Sequence, residues 1–227
     1  AITVTGGPTN GVIAANTVSG EVIFNGGSGA GAKPVDINVG SISDFCTRAL
    51  GSNVSVTTAN GDLKIEGTST GSFSAVANGI NANVITCGDI TAAGILTLDA
   101  GSGDADVVIS NTNKVQGSSV SLISGSGVGS EVRLGNGSAA VTATTGDVTL
   151  TTPALNMTAG ANSVSSTLGD VIVQSNGAGN ALAVNLGAGS QINAATAGTG
   201  DIFFNPTTAG NISVTGGPAN GLLNAGN

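Results

Sequence analysis

Three aspartates crowd into one short stretch, Asp99-Ala-Gly-Ser-Gly-Asp104-Ala-Asp106. Carboxylates interleaved with glycine can wrap a hard cation such as Ca2+. The stretch occurs once and is not the nonapeptide calcium repeat, so a solvated acidic corner is the competing reading. Asp99, Asp104 and Asp106 are therefore kept as a weak calcium candidate, and no other metal or cofactor is expected. The 2 cysteines, Cys46 and Cys87, allow one disulfide in an oxidising compartment or two buried thiols acting as small hydrophobes. The chain has no His, which removes Ser-His and Cys-His nucleophiles. Its other acids are spread singly, mostly just after Gly, whereas glycoside cleavage needs two carboxylates facing each other. Sugar clefts favour aromatic platforms, and Trp and Tyr are absent. The loops Gly26–Gly31 and Gly125–Gly129 lack the Gly-Lys-Ser/Thr ending of a phosphate loop and read as bulges between strands. Thr3/Thr5, Thr142/Thr144 and Thr149/Thr151 do not recur at one coil-sized period, so they read as exposed strand residues rather than a flat ice-binding face. Sequons at Asn53, Asn136, Asn156 and Asn211 matter only where a secretory pathway glycosylates. The expectation is a non-enzymatic chain.

Composition narrows what could hold such residues. Hydrophobic residues make up 40% of the 227, drawn from Val, Ile, Leu and Ala with 5 Phe. Small branched side chains suit a thin, regular interior. Gly contributes 38 residues without a G-X-Y period, which excludes collagen. Recurring Val/Ile runs supply apolar surface that disordered chains lack. Only 8% of residues are charged and the net charge is −8, a balance that repels nucleic acid and anionic membranes. No apolar run approaches the roughly 20 residues of a membrane span. The opening at Ala1, with no signal peptide, reads as a processed product or an excised segment.

The strongest signal is a self-match. Residues 2–11 read ITVTGGPTNG and residues 212–221 read ISVTGGPANG, identical at 8 of 10 positions and offset by 210 residues. Val12-Ile13 maps onto Leu222-Leu223. The chain is read as one segment, 1–227: a 210-residue unit (about 2–211) followed by the opening of the next (212–227). The unit junction is carried by Ile2, Val4, Gly6, Gly7 and Pro8 and by their counterparts Ile212, Val214, Gly216, Gly217 and Pro218.

Inside the unit, Gly then Asp, Glu or Asn precedes alternating β-formers: GEVIF at 20–24, GDLKI at 61–65, GDITA at 88–92, GDVTL at 146–150, GDVIV at 169–173, GDIFF at 200–204 and GNISV at 210–214. Strand starts in the C-terminal half fall too close together for intervening helices. An antiparallel sandwich and a solenoid with three short strands per coil both remain. Like motifs that stack on themselves, Gly and Asn corners, and a narrow aliphatic core favour the solenoid. Asn60-Gly61 and Asn136-Gly137 are candidate hairpins that keep the sandwich open. One segment departs from the rhythm: Ile42, Phe45, Cys46, Ala49 and Leu50 share a helical face, with Ser41 or Ser43 as cap and Gly51 as stop. This predicts one short helix over 42–50.

The run Ile37-Asn-Val39, Ile42 to Leu50, then Gly51-Ser-Asn-Val-Ser-Val-Thr-Thr-Ala-Asn-Gly-Asp-Leu-Lys-Ile-Glu66 resembles the filamentous-haemagglutinin family of large secreted exoproteins. The recurring GD[VIL] strands over residues 20–214 are similar too. The resemblance implies an all-β, right-handed parallel β-helix, export from a bacterial cell to the extracellular space or cell surface, and roles in adhesion or fibre formation. At about 23 residues per coil, 210 residues make about nine coils. Stacked about 4.8 Å apart they rise roughly 43 Å. The expected function is a structural module of a long fibre, whose partner is itself, end to end, with no nucleic-acid partner and no membrane insertion. The alternative is an adhesin passenger that binds a surface ligand through an insertion at 26–50.

Overall fold

The computed structural model describes residues 2–5, 12–14, 20–43, 45–176, 181–195, 197, 199–206, 211–216 and 222–225. Over these the chain is all-β, with strands numbered β1–β25 in chain order and one turn of 3-10 helix at Gly29–Gly31. Among the described residues no helix is long and apolar enough to cross a membrane. Period-two alternation drives this: along Val54–Thr58, Val148–Thr151 and Val171–Gln174 every other residue, starting with the first, is buried and those between are half-exposed.

The nine-stranded sheet runs β1 (Ile2–Thr5), β4 (Val35–Val39), β7 (Val54–Thr58), β9 (Phe73–Ala77), β11 (Leu96–Asp99), β14 (Val120–Ile123), β17 (Val148–Thr151), β20 (Val171–Gln174) and β23 (Ile202–Asn205). Every pairing is parallel and in register, so like residues stand in columns. One column is Val54, Phe73, Leu96, Val120, Val148 and Val171. The next is Ile37, Val56, Ala75, Leu98, Leu122, Leu150 and Val173. All of these are buried, and Phe73 is the largest fully buried side chain. At about 25 cal/mol per Å2 such columns are the main stabilising term.

A 14-stranded sheet has two limbs fused at its start. Its first strands are β3 (Glu21–Asn25), β6 (Cys46–Gly51), β8 (Leu63–Ser69) and β10 (Val84–Ala92). From β10 one limb continues through β12 (Val107–Ile109), β15 (Val132–Leu134), β18 (Ala154–Met157), β21 (Leu182–Leu186) and β24 (Ile212–Thr215). The other continues through β13 (Lys114–Gly117), β16 (Ala140–Ala143), β19 (Ser163–Ser166), β22 (Gln191–Asn193) and β25 (Leu222–Asn224). A two-stranded sheet pairs β2 (Val12–Ala14) with β5 (Ser41–Ser43). From β11 onward the chain visits the nine-stranded sheet, the β12 limb and the β13 limb in fixed rotation. Parallel pairing throughout rules out the antiparallel sandwich, and no hairpin forms at Asn60-Gly61 or Asn136-Gly137.

Glycines sit where this stacking needs them. Gly67 bends β8 from one limb to the other at φ 154°, and a Cβ there would meet the Ala49 carbonyl. At Gly101 a Cβ would meet the carbonyl of Gly79, the equivalent corner one round earlier.

The helix expected over 42–50 is not formed. Ser41–Ser43 and Cys46–Gly51 are strands, and Phe45 is exposed at the corner between them. The corner resets the phase of the apolar alternation, which imitates a helical period. β6 pairs with β3 on one side and β8 on the other, and a helix here would strip both of their backbone partners.

Candidate functional site

The sequence directs attention to the two copies of the repeated motif. Ile2 and Val4 lie on β1, at one edge of the nine-stranded sheet, and pair with Val35 and Ile37 of β4. Ile212 and Val214 lie on β24, at the far end of the β12 limb, and pair with Leu182 and Val184 of β21. Ile2 and Val4 pack partly buried against the core, while Ile212 and Val214 are exposed. Gly216 follows β24, and Gly6, Gly7, Pro8, Gly217 and Pro218 lie outside the described residues. The two copies therefore occupy edges of different sheets and keep opposite neighbours.

A second cluster braces β3, β6, β8 and β10. Cys46 on β6 is joined to Cys87 on β10 by a disulfide, with the Cα atoms 5.8 Å apart, although β8 pairs with both strands. The bridge is possible because β10 bulges: Thr86 pairs with Ile65 and Ile90 with Gly67, so Cys87, Gly88 and Asp89 stand opposite Glu66 alone. Glu66 lies against both sulfurs, the one group of metal-ligating atoms among the described residues. Its carboxylate instead accepts from the Arg48 guanidinium, which also lies 3.8 Å from Glu21. The Glu66 hydrogen bond, then the charges of Glu66 and Glu21, push the Arg48 pKa further up. Of the two roles the sequence left open for Cys46 and Cys87, the structure has the disulfide.

The calcium candidates do not converge. Asp99 points outward from β11 between Val76 and Ile123, where partial burial pushes its carboxyl above the usual range. Asp104 accepts from the Gly129 N–H at 3.2 Å. Asp106 accepts from the Glu131 N–H at 2.9 Å and faces Arg133 at 3.2 Å. Asp104 and Asp106 thus serve separate hydrogen bonds, and no three-ligand group forms among the three aspartates. The threonine pairs are also apart: Thr142 neighbours Ser165, Thr149 lies between Ser121 and Ile172, and Thr3 faces Asp36.

The Gly-Asp motif has a role that its sequence pattern did not reveal. Asp147 Oδ1 accepts the Asp170 N–H at 2.9 Å, and Asp170 Oδ1 accepts the Asp201 N–H at 2.9 Å. On the other sheet Asp62 accepts from the Asn83 N–H, and Asn83 from the Asp106 N–H at 2.7 Å. Each Asp or Asn just ahead of a strand therefore caps the equivalent backbone group one round later. The signal available in sequence was the fixed place of the acid directly after Gly. Outer ladders extend this: Asn185 donates to Asn156 at 3.1 Å and accepts from Thr215 at 3.3 Å.

The expected insertion at 26–50 shrinks. Gly26 donates to the Leu50 carbonyl and accepts from Lys33, so the intervening loop closes on itself and β4 resumes at Val35. A small, open concavity lies where Ser41, Ile42 and Ser43 face Gly61, Asp62 and Lys64. Set against protein-family models, curated proteins and solved structures, the chain matches none of them.

Proposed function

We propose that this chain is a structural segment of a long fibre: a right-handed parallel β-helix with three strands per coil, extended by further units of the same kind. The carrying observation is that apolar columns run in parallel register along both main sheets up to edge strands, β1 and β24, that are two copies of one motif. The rotation of the chain among three strand ladders supports coiling, and parallel crossovers are right-handed in nearly all proteins. Edge strands with apolar faces and unpaired backbone groups invite further pairing. The disulfide and the low charge suit an extracellular, oxidising setting, as in the large secreted bacterial exoproteins that the sequence resembles. No catalytic constellation is proposed. Binding to a surface ligand through 26–50 would have to use the loop before Val35, because the rest of that stretch is ladder.

Electron microscopy of the native material tests this. Long thin rods are expected. Compact monomers of the chain's own mass, confirmed by light scattering, would sink the fibre reading.

A further inference from the structure

The two motif copies show one strand pair from its two sides. β24 displays the side facing β21, with Leu182, Val184 and Asn185 opposite Ile212, Val214 and Thr215. β1 displays the side facing β4, with Val35, Ile37 and Asn38 opposite Ile2, Val4 and Thr5. Superposing the copies places one strand between two partners that match: apolar on apolar twice, then a Thr between two Asn. The second strand of the pair behaves alike. Ile192 stands opposite Leu223, and Ile42 stands opposite Ile13, the residue equivalent to Leu223.

The copies lie on different ladders. From β1 to β23 the chain makes eight circuits of the nine-stranded sheet, and β24 lies one ladder further on. A 210-residue unit, the offset between the copies, is thus eight and one-third circuits. We propose that consecutive units join in this phase, so that each unit begins one ladder on from the last. This rests on the fibre reading above.

The phase makes a contact that it was not built to satisfy. It seats β3 of the following unit on β23, aligning Gly20-Glu-Val-Ile-Phe-Asn25 with Gly200-Asp-Ile-Phe-Phe-Asn205. Phe24 then stacks on Phe204 and Asn25 on Asn205, as like residues do along the columns inside the unit. The outward residues Ile23 and Phe203, 53% and 40% exposed, become neighbours and cover each other. Asp201, the last member of its capping ladder, meets the backbone N–H of Glu21 in the position Asp170 offers to Asp201. Direct stacking of β1 on β23 would place Thr3 against Phe203 and lose these matches. Each unit would rise about 40 Å at about 4.8 Å per strand. A given side chain would reappear on each of the three faces in turn and return to the first after three units.

The test extends the full chain so that residue 224 is followed by residues 15–227 of a second unit, with Phe203→Cys in the first unit and Ile23→Cys in the second. Cys46 and Cys87 are bonded and leave only the new pair free. A short bis-maleimide should link most molecules, read as a looped species on a denaturing gel. The control, with both substitutions in the first unit, should stay linear. A straight rod of doubled length whose pair does not react would overturn the phase and leave the fibre reading standing. Two bodies joined by a hinge, seen by electron microscopy, would overturn both.

Discussion

The stretch from β3 to β10 and the stretch from β14 to β23 solve the same stacking problem differently. In the first, the rounds are uneven: the round that brings Thr47 to Ile65 is short, and the one that brings Glu21 to Cys46 is longer. β8 and β10 each serve two limbs, and β10 carries a bulge. Here strands are tied by a disulfide and by the Glu21–Arg48–Glu66 cluster. In the second, the rounds also differ in length, the one from Val171 to Ile202 being longer than the one from Val148 to Val171, but each strand serves a single ladder and no disulfide occurs. Aliphatic columns, capping Asp residues and the Arg133 ion pairs with Asp106 and Glu131 act there. The difference teaches that the disulfide appears where strands are shared between two limbs and β10 bulges, whereas separate ladders hold without one even though their rounds change length.

The sharpest way to break the comparison is to remove the brace. The disulfide closes a loop with a sequence separation of 41. Chain entropy assigns such a loop about 4 kcal/mol. Cys46→Ser with Cys87→Ser should lower stability by about that amount, with hydrogen exchange accelerating over β3–β10 and little changed over β17–β23, because each strand of a parallel ladder pairs only with its nearest neighbours. Uniform acceleration along the chain would show that the stretches are one cooperative unit. The converse test is Leu150→Ala. Leu150 is fully buried between Leu122 and Val173. The cavity should cost about 3 kcal/mol. The loss should appear in β14, β17 and β20 and leave the braced stretch intact.

A smaller effect separates columns from polar fastenings within the stretch from β14 to β23. Thr152 is fully buried, and its hydroxyl accepts from the Val132 N–H at 3.1 Å and the Ser124 hydroxyl at 2.8 Å while donating to the Ala154 carbonyl at 2.7 Å. Thr152→Val keeps the shape and orphans these groups, so about 2 kcal/mol should be lost on chemical denaturation. A neutral outcome would mean that aliphatic stacking alone carries the stretch.

The stretch from β14 to β23 was also the legible one. The Gly-Asp strands at 146–150, 169–173 and 200–204 all form strands, because a period-two pattern bounded by Gly has one meaning when neighbours share it. The braced stretch misled. Around Phe45 a corner between two strands gave the spacing of a helix, and only the pairing of β6 with both β3 and β8 resolves it. Arg48 and Glu66 were unremarked because they meet through register, one round apart on neighbouring strands. The same holds for Cys46 and Cys87, whose approach depends on a bulge that composition does not announce. The aspartates at 99, 104 and 106 were grouped by nearness in sequence, but they stand on a strand, in a corner and ahead of another strand, so their carboxylates diverge.

The smallest predicted effect lies between the two stretches, at Asp99. Its side chain stands half-buried beside Val76 and Ile123, and desolvation raises its pKa in the fold. The sign follows from linkage: the folded chain holds this proton more tightly than the unfolded chain, whose ordinary value is 3.8. This group therefore weakens the fold while ionised, and the penalty fades as pH falls through the raised value towards the ordinary one. Asp99→Asn should give a slightly more stable protein at neutral pH and converge with the parent in acid, read from paired denaturation curves across that range. A variant less stable at neutral pH would mean that the carboxylate is held by a favourable partner. The border would then be a third fastening, and the contrast between a braced and an unbraced stretch would have to be redrawn around it.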